Sequence, residues 1–259
     1  MSNSLAGVWQ KTGGRKLREL ASLAFYRGRD RIVLAAYRLR YPRVRFGAGV
    51  IIRGKLIVRG RGQLTLGDHM VIYGKLIVQG PGRVTLGDHV WVHGTMTIDA
   101  TGEVSVGHHC GFGYFRHQEN RITARETSAR VVIHPLSFFN GAEVTACTLI
   151  EFQQRCLISD VLIEDSDYHS IEINRGDPAA VVKSRPILIG ENVWIGSRAA
   201  VLKGVTIGDN SVVGLGTIVR KSVPANCVVI GNPQQIVKEL NTNVEWDKNV
   251  SPGSLQVPL

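Results

Sequence analysis

The sequence predicts an all-β solenoid, and three observations carry the prediction. Between Pro186 and Pro224, aliphatic residues fall at every sixth position: Ile189, Ile195, Val201, Ile207, Val213 and Val219. Gly190, Gly196, Gly208 and Gly214 follow four of them directly, and a small or β-branched residue stands four after each: Val193, Ala199, Val205, Ser211, Thr217 and Val223. Upstream, a repeat of twenty aligns Gly54-Lys55-Leu56-Ile57-Val58 with Gly74-Lys75-Leu76-Ile77-Val78 and Gly94-Thr95-Met96-Thr97-Ile98. A hexad fits neither helical nor plain strand periodicity. Strand and corner, taken three times, close one triangular coil, and stacked coils lie roughly 4.8 Å apart. One coil buries nothing by itself, so several must stack.

The elements follow in order. Residues 1–45 form a basic segment in which Lys16 to Arg27 and Asp30 to Arg40 are predicted as two short helices. Asp30 is the expected N-cap and Pro42 the stop. Leu17, Leu20, Leu23, Ala24 and then Ile32, Val33, Ala36, Tyr37 and Leu39 supply apolar faces. The first 61 residues hold 15 Lys or Arg against 2 Asp or Glu, within a chain of net charge +10. Two readings fit: a helical cap on the open end of the solenoid, or an amphipathic contact with an anionic membrane surface. Nucleic acid is set aside as a partner because no reader motif accompanies the charge.

Residues 46–224 are the solenoid. Its early core positions are Ile52, Val58, Leu66, Ile72, Val78, Leu86, Val92, Ile98, Val106 and Phe112, in steps of six, six and eight. The two extra residues fall in a bulged corner at Gly60-Arg61, Pro81-Gly82 and Thr101-Gly102. Stretches 114–130 and 165–185 lack hexads and are predicted to be loop excursions. Residues 225–259 are a C-terminal extension.

The chain is 44% hydrophobic, enough for one core. It has no apolar run of spanning length, and Met1 to Gln10 lacks the apolar stretch of a secretory signal. The expected location is the cytoplasm, or the inner face of the cytoplasmic membrane. Cys110, Cys147, Cys156 and Cys227 show no CxxC spacing and read as reduced core thiols. His69, His89 and His109 recur at one solvent-facing corner. Stacked one above another, they cannot converge on a tetrahedral ion, so they read as turn residues and no metal is expected.

Ile189-Gly190-Glu191-Asn192-Val193-Trp194-Ile195-Gly196 resembles the signature of hexapeptide-repeat acyltransferases, such as galactoside, maltose and polysaccharide O-acetyltransferases. Gly204-Val205-Thr206-Ile207-Gly208 and Gly231-Asn232-Pro233 resemble it too. The close resemblance covers roughly residues 130–238. It implies a left-handed parallel β-helix, against the usual right-handed crossover preference, with short N-terminal helices and the two excursions. The γ-class carbonic anhydrases share that fold with a His-ligated zinc, but the stacked histidines here argue against that site.

Asp165-Ser166-Asp167-Tyr168-His169-Ser170-Ile171 resembles the family's catalytic-histidine motif. Moving an acyl group from a thioester to a sugar hydroxyl needs a base, and imidazole has a suitable pKa. His169 is the candidate base. Asp165 and Asp167 are candidate partners for its other ring nitrogen. Phe139-Asn140-Gly141 resembles the element lining the acceptor pocket, which gives Asn140 a role in holding acceptor or loop; the alternative is a corner asparagine.

The resemblance further implies acetyl-CoA as co-substrate, lying along the C-terminal coils in a groove between subunits. Trp194, Ser197, Gly214, Gly216 and Lys221 fall at its contact positions. Leu215, Arg220 and Gln234-Gln235 depart from the family pattern, and Lys238 is a candidate for the missing basic charge. Outward-facing Trp194, Ala200, Val212 and Ile218 form an apolar stripe that predicts a subunit interface, and the family implies a homotrimer. The expected reaction is direct O-acetylation of a saccharide of a cell-surface glycan or its lipid-linked precursor. The alternatives are an N-acyl- or formyltransferase acting on an amino sugar, and a non-catalytic solenoid scaffold.

Overall fold

A computed structural model describes residues 28–113 and 119–244. The chain divides into Met1–Pro42 and Arg43–Leu259. In the first unit residues 28–40 are helical, and the amide of Tyr41 donates to Tyr37 O at 2.9 Å as the helix ends before Pro42. Two expectations are corrected here. Asp30 lies inside the helix rather than at its N-cap. The expected apolar face is largely open, with Ile32 and Leu39 exposed, while Asp30 and Leu34 are the buried residues. The other predicted helix, Lys16 to Arg27, lies outside the described residues.

The second unit is a parallel β-solenoid of about nine coils. Its first face carries eight strands in sequence order, from Arg45–Phe46 through Gln63–Leu66, Arg83–Leu86, Glu103–Val106, Arg130–Ile133, Leu149–Phe152 and Ile187–Ile189 to Thr206–Ile207. The second face runs from Ile51–Ile52 to Cys227–Ile230, and the third from Lys55–Val58 to Ile218–Val219. Two long strands, Phe138–Ala146 and Leu157–Glu164, bend at the corner and serve both of these faces.

The core is the one the hexads predict, except that Val58 in the first coil is only half-buried. Ile189, Ile195, Val201, Ile207, Val213 and Val219 are all at most 1% exposed, as are Val193, Ala199, Val205, Ser211 and Thr217. Early coils pair at an offset of twenty, as Ile52 with Ile72. Late coils pair at eighteen, as Ile195 with Val213. The rings of Phe112 and Phe139 stack along the axis at 5.4 Å, and Phe152 meets Phe139 edge-on at 5.0 Å.

The corner between the first and second faces is one column of left-handed residues. Gly49, His69, His89, His109, Leu136, Arg155, Asn192, Asn210 and Asn226 all have φ between 55° and 67°. The histidines are therefore turn residues, and their rings stack at 5.1 and 4.6 Å. The three asparagines form an amide ladder: Asn192 Nδ2 donates to Asn210 Oδ1 at 3.0 Å, and Asn210 Nδ2 to Asn226 Oδ1 at 2.8 Å. Asparagine tolerates this backbone region best among non-glycine residues.

Two boundaries differ from expectation. The excursion at 114–130 is shorter, because Glu119–Ala124 is a strand of the third face paired with Thr95–Ala100. Asn120 takes an inward position where the hexad asks for an aliphatic residue, which hid the coil. Its Oδ1 is occupied by the amides of Gly141 and Ala142, at 3.0 and 3.1 Å. At the other end, the solenoid continues past residue 224: Cys227–Ile230 adds to the second face, and Gln235–Glu239 folds back antiparallel along it. That return occupies the sheet edge the last coil would otherwise leave open.

Candidate active site

The 165–186 excursion leaves the solenoid where the third face meets the first, between Glu164 and Ile187. Its base is fixed by buried Asp165. That carboxylate accepts from the amides of Cys147, Thr148 and Leu149 at 2.6, 2.7 and 2.9 Å, and from Thr148 Oγ1 at 2.7 Å. A carboxylate can be removed from water when several donors replace its hydration. The main-chain oxygen of Asp165 also accepts from Arg185 N at 2.8 Å, joining the two ends of the excursion.

Next along the loop, Ser166 bridges to Ser184, with their hydroxyls 2.9 Å apart. Asp167 pairs with Lys203 from the following coil, and its amide donates to Lys183 O at 3.1 Å. Tyr168 packs its ring 5.1 Å from the Arg125 guanidinium, with Thr145 and Glu164 within electrostatic reach of its phenol. Burial, helped by the charge of Glu143, raises the Glu164 carboxyl. Burial likewise raises the Tyr168 phenol. His169 then stands exposed at the tip of this tethered stretch.

The aspartates are therefore not what the sequence alone suggested. The Asp165 carboxylate is wholly engaged with the 147–149 turn, so it does not orient the imidazole. The Asp167 carboxylate is engaged with Lys203. Both hold the loop. Lys203, Thr148, Arg125 and Tyr168 were missed because their roles depend on contacts between coils. The only sequence signal was the adjacency of Tyr168 to His169. Asn140 lies at a different corner, between the second and third faces, half-buried and directly before Gly141.

The candidate coenzyme contacts fall in three places. Trp194, 51% exposed, shares a groove of about 520 Å³ with Asn192, Asn210, Asn226, Lys238 and Leu240. Ser197, Gly214 and Gly216 line the corner between the second and third faces, where Gly216 N donates to Ser197 O at 3.0 Å. Gly216 has φ +71° with open space beside its Cα, whereas a side chain at Gly214 would strike Ile230. Lys221 is exposed at the corner between the third and first faces. Gln234 fastens the backbone there: its Oε1 accepts from Arg220 N and Lys221 N at 2.8 and 2.9 Å, and its Nε2 donates to Lys221 O at 2.9 Å. This departure from the family pattern thus supports the lysine. Among the described residues, no cluster of three metal-ligating side chains could hold an ion. None of their helices is long and apolar enough to cross a membrane.

Stacked coils and a hexad core define the class of fold: a parallel β-solenoid built on a hexapeptide repeat. Residues 186–221 match the family described as the hexapeptide repeat of succinyl-transferase. The chain is similar to the galactoside O-acetyltransferase of Escherichia coli K12, 55% identical over 58 residues, covering 22% of this chain and 29% of that protein. It is also 33% identical over 102 residues to a putative lipopolysaccharide biosynthesis O-acetyl transferase, WbbJ, of the same organism, covering 36% and 51%. The chain thus spans about a third to a half of the length of these relatives. A polysialic acid O-acetyltransferase structure, OatWY, overlaps 81% of this chain and 96% of its own at 21% identity, with a TM-score of 0.44.

Proposed function

We propose that this protein is an acetyl-CoA-dependent O-acetyltransferase with His169 as general base. The observation that carries the reading is His169 itself: an exposed imidazole on a loop fastened at Asp165, Ser166 and Asp167 to its own solenoid. A non-catalytic scaffold gives no reason for so many anchors beneath one surface histidine. The imidazole takes the proton of a sugar hydroxyl as that oxygen attacks the thioester carbonyl. The tetrahedral intermediate collapses with loss of the coenzyme A thiolate, which recovers the proton from the imidazolium. No cysteine or serine in the motif calls for a covalent acyl-enzyme.

The acceptor is a saccharide of a cell-surface glycan or its lipid-linked precursor, in keeping with the names of the relatives. The working assembly is a homotrimer with a left-handed coil. The coenzyme lies between one protomer's Trp194 and Lys238 groove and a neighbour's corner carrying Ser197, Gly214 and Gly216. That division explains why the candidate contacts do not converge within one chain. The N-terminal basic segment serves as cap or membrane contact, and the protein works on the cytoplasmic side.

The test is release of coenzyme A thiol from acetyl-CoA across a panel of nucleotide sugars and lipid-linked glycans, with product analysis. His169→Ala is expected to lower turnover by about 10²-fold or more. A variant turning over at the wild-type rate with its preferred acceptor would defeat the assignment of the base.

A further inference from the structure

We propose that Tyr168 is a positioning residue, anchoring a strained turn that aims the His169 imidazole; this rests on the reading of His169 as the base. Tyr168 has φ +59°, the left-handed region that bulky side chains avoid. His169 N donates to Asp167 O at 2.7 Å, closing a three-residue turn around Tyr168. With its central residue at positive φ, this is the rarer and strained form of the γ-turn.

Holding the loop to the solenoid does not require that turn. Asp165 is already bound to residues 147–149, Ser166 to Ser184, and Asp167 to Lys203 and Lys183. The strain falls one residue later, immediately before the histidine. Strained backbone persists where surrounding contacts over-determine it, and those contacts are present. The Tyr168 ring faces Arg125, its phenol lies within electrostatic reach of Thr145 and Glu164, and its amide donates to Ser166 Oγ at 3.2 Å. Arg125 is itself placed by its amide, which donates to Ala146 O at 2.8 Å. Two stretches of chain distant in sequence, at Arg125 and Thr145, thus converge on one ring. What that ring fixes is the direction in which the chain leaves for His169.

Tyr168→Gly separates anchor from dihedral, because glycine enters positive φ freely but has nothing to pack. Arg125→Leu removes one anchor from outside the loop, and Tyr168→Phe keeps the ring but loses the hydroxyl. The readout is the His169 ring resonance in a ¹H–¹³C correlation spectrum, assigned by its loss in His169→Ala. His134, paired with Glu151 at 2.8 Å, is the control. Tyr168→Gly and Arg125→Leu are expected to shift or broaden His169 and leave His134 in place, with Tyr168→Phe between them and wild type.

Turnover on the accepted sugar should fall about 10²-fold in Tyr168→Gly, while protection by coenzyme A against thermal unfolding stays at the wild-type level. An unchanged His169 resonance in both Tyr168→Gly and Arg125→Leu overturns the proposal. If Tyr168→Gly does not fold, Arg125→Leu decides alone. The spectra answer even if no acyl transfer is found, so failure of the catalytic reading is recognised separately.

Discussion

The ammonium of Lys203 donates to the carboxylate of Asp167, thirty-six residues earlier in the chain. Both side chains are about one-fifth exposed. The pair ties the histidine loop to the coil that follows it. Lys203→Met leaves Asp167 without this partner and is expected to cost about 1–2 kcal/mol in urea unfolding. The loop around 165–186 should also exchange amide hydrogens faster, while the core strands keep their protection. An unaltered loop exchange rate would show that the pair does not tether it.

Asp165 has the opposite balance of roles. Its carboxylate satisfies three main-chain amides and one hydroxyl at the 147–149 turn, with no exposure to solvent. Asp165→Ala leaves those donors unpaired and is expected to destabilise by on the order of 3 kcal/mol or more. Chemical unfolding measures this directly. A neutral substitution would show that water replaces the carboxylate at no cost.

The stacked histidines predict a pH dependence of stability. Desolvation, followed by the neighbouring His89 and His108 charges, holds His109 below the ordinary imidazole value. A histidine depressed on folding binds its proton more readily when unfolded. The penalty is therefore absent above about pH 6.5 and grows as pH falls below it. The melting temperature should drop between pH 7 and pH 5. His109→Asn keeps a side chain suited to φ +55° and should flatten that drop. An unchanged slope would remove His109 as its source.

Burial pushes the thiols of Cys110 and Cys156 up to about 12. Only the thiolate is alkylated readily. At pH 8, iodoacetamide should leave both unmodified in the folded protein and label both after denaturation, as read by mass spectrometry. Labelling of either in the native state would mean that the coils around it open on the timescale of the reaction.

Close coil stacking makes some glycines irreplaceable. A Cβ at Gly74 would lie 2.0 Å from Gly94 O and 2.1 Å from His93 O. Both obstacles are main chain and cannot rotate away. Gly74→Ala is expected to cost at least about 2 kcal/mol in thermal or urea unfolding. Wild-type stability would show that the coils spread more easily than their packing implies.

The sequence by itself determined the coil, its register and its core. Ile189 through Val219 lie buried where the hexads put them, and His69, His89 and His109 occupy the corner that their twenty-residue spacing assigns. Such features are local: alternation and corner chemistry act over a few residues and then repeat. The tertiary structure alone decided that Asp165 binds the 147–149 turn, that Asp167 binds Lys203, that Tyr168 meets Arg125, and that Glu119–Ala124 belongs to the third face. Those partners lie a coil or more apart along the chain. Which side chains meet depends on how the coils stack and where each excursion rejoins them, and no short spacing encodes that.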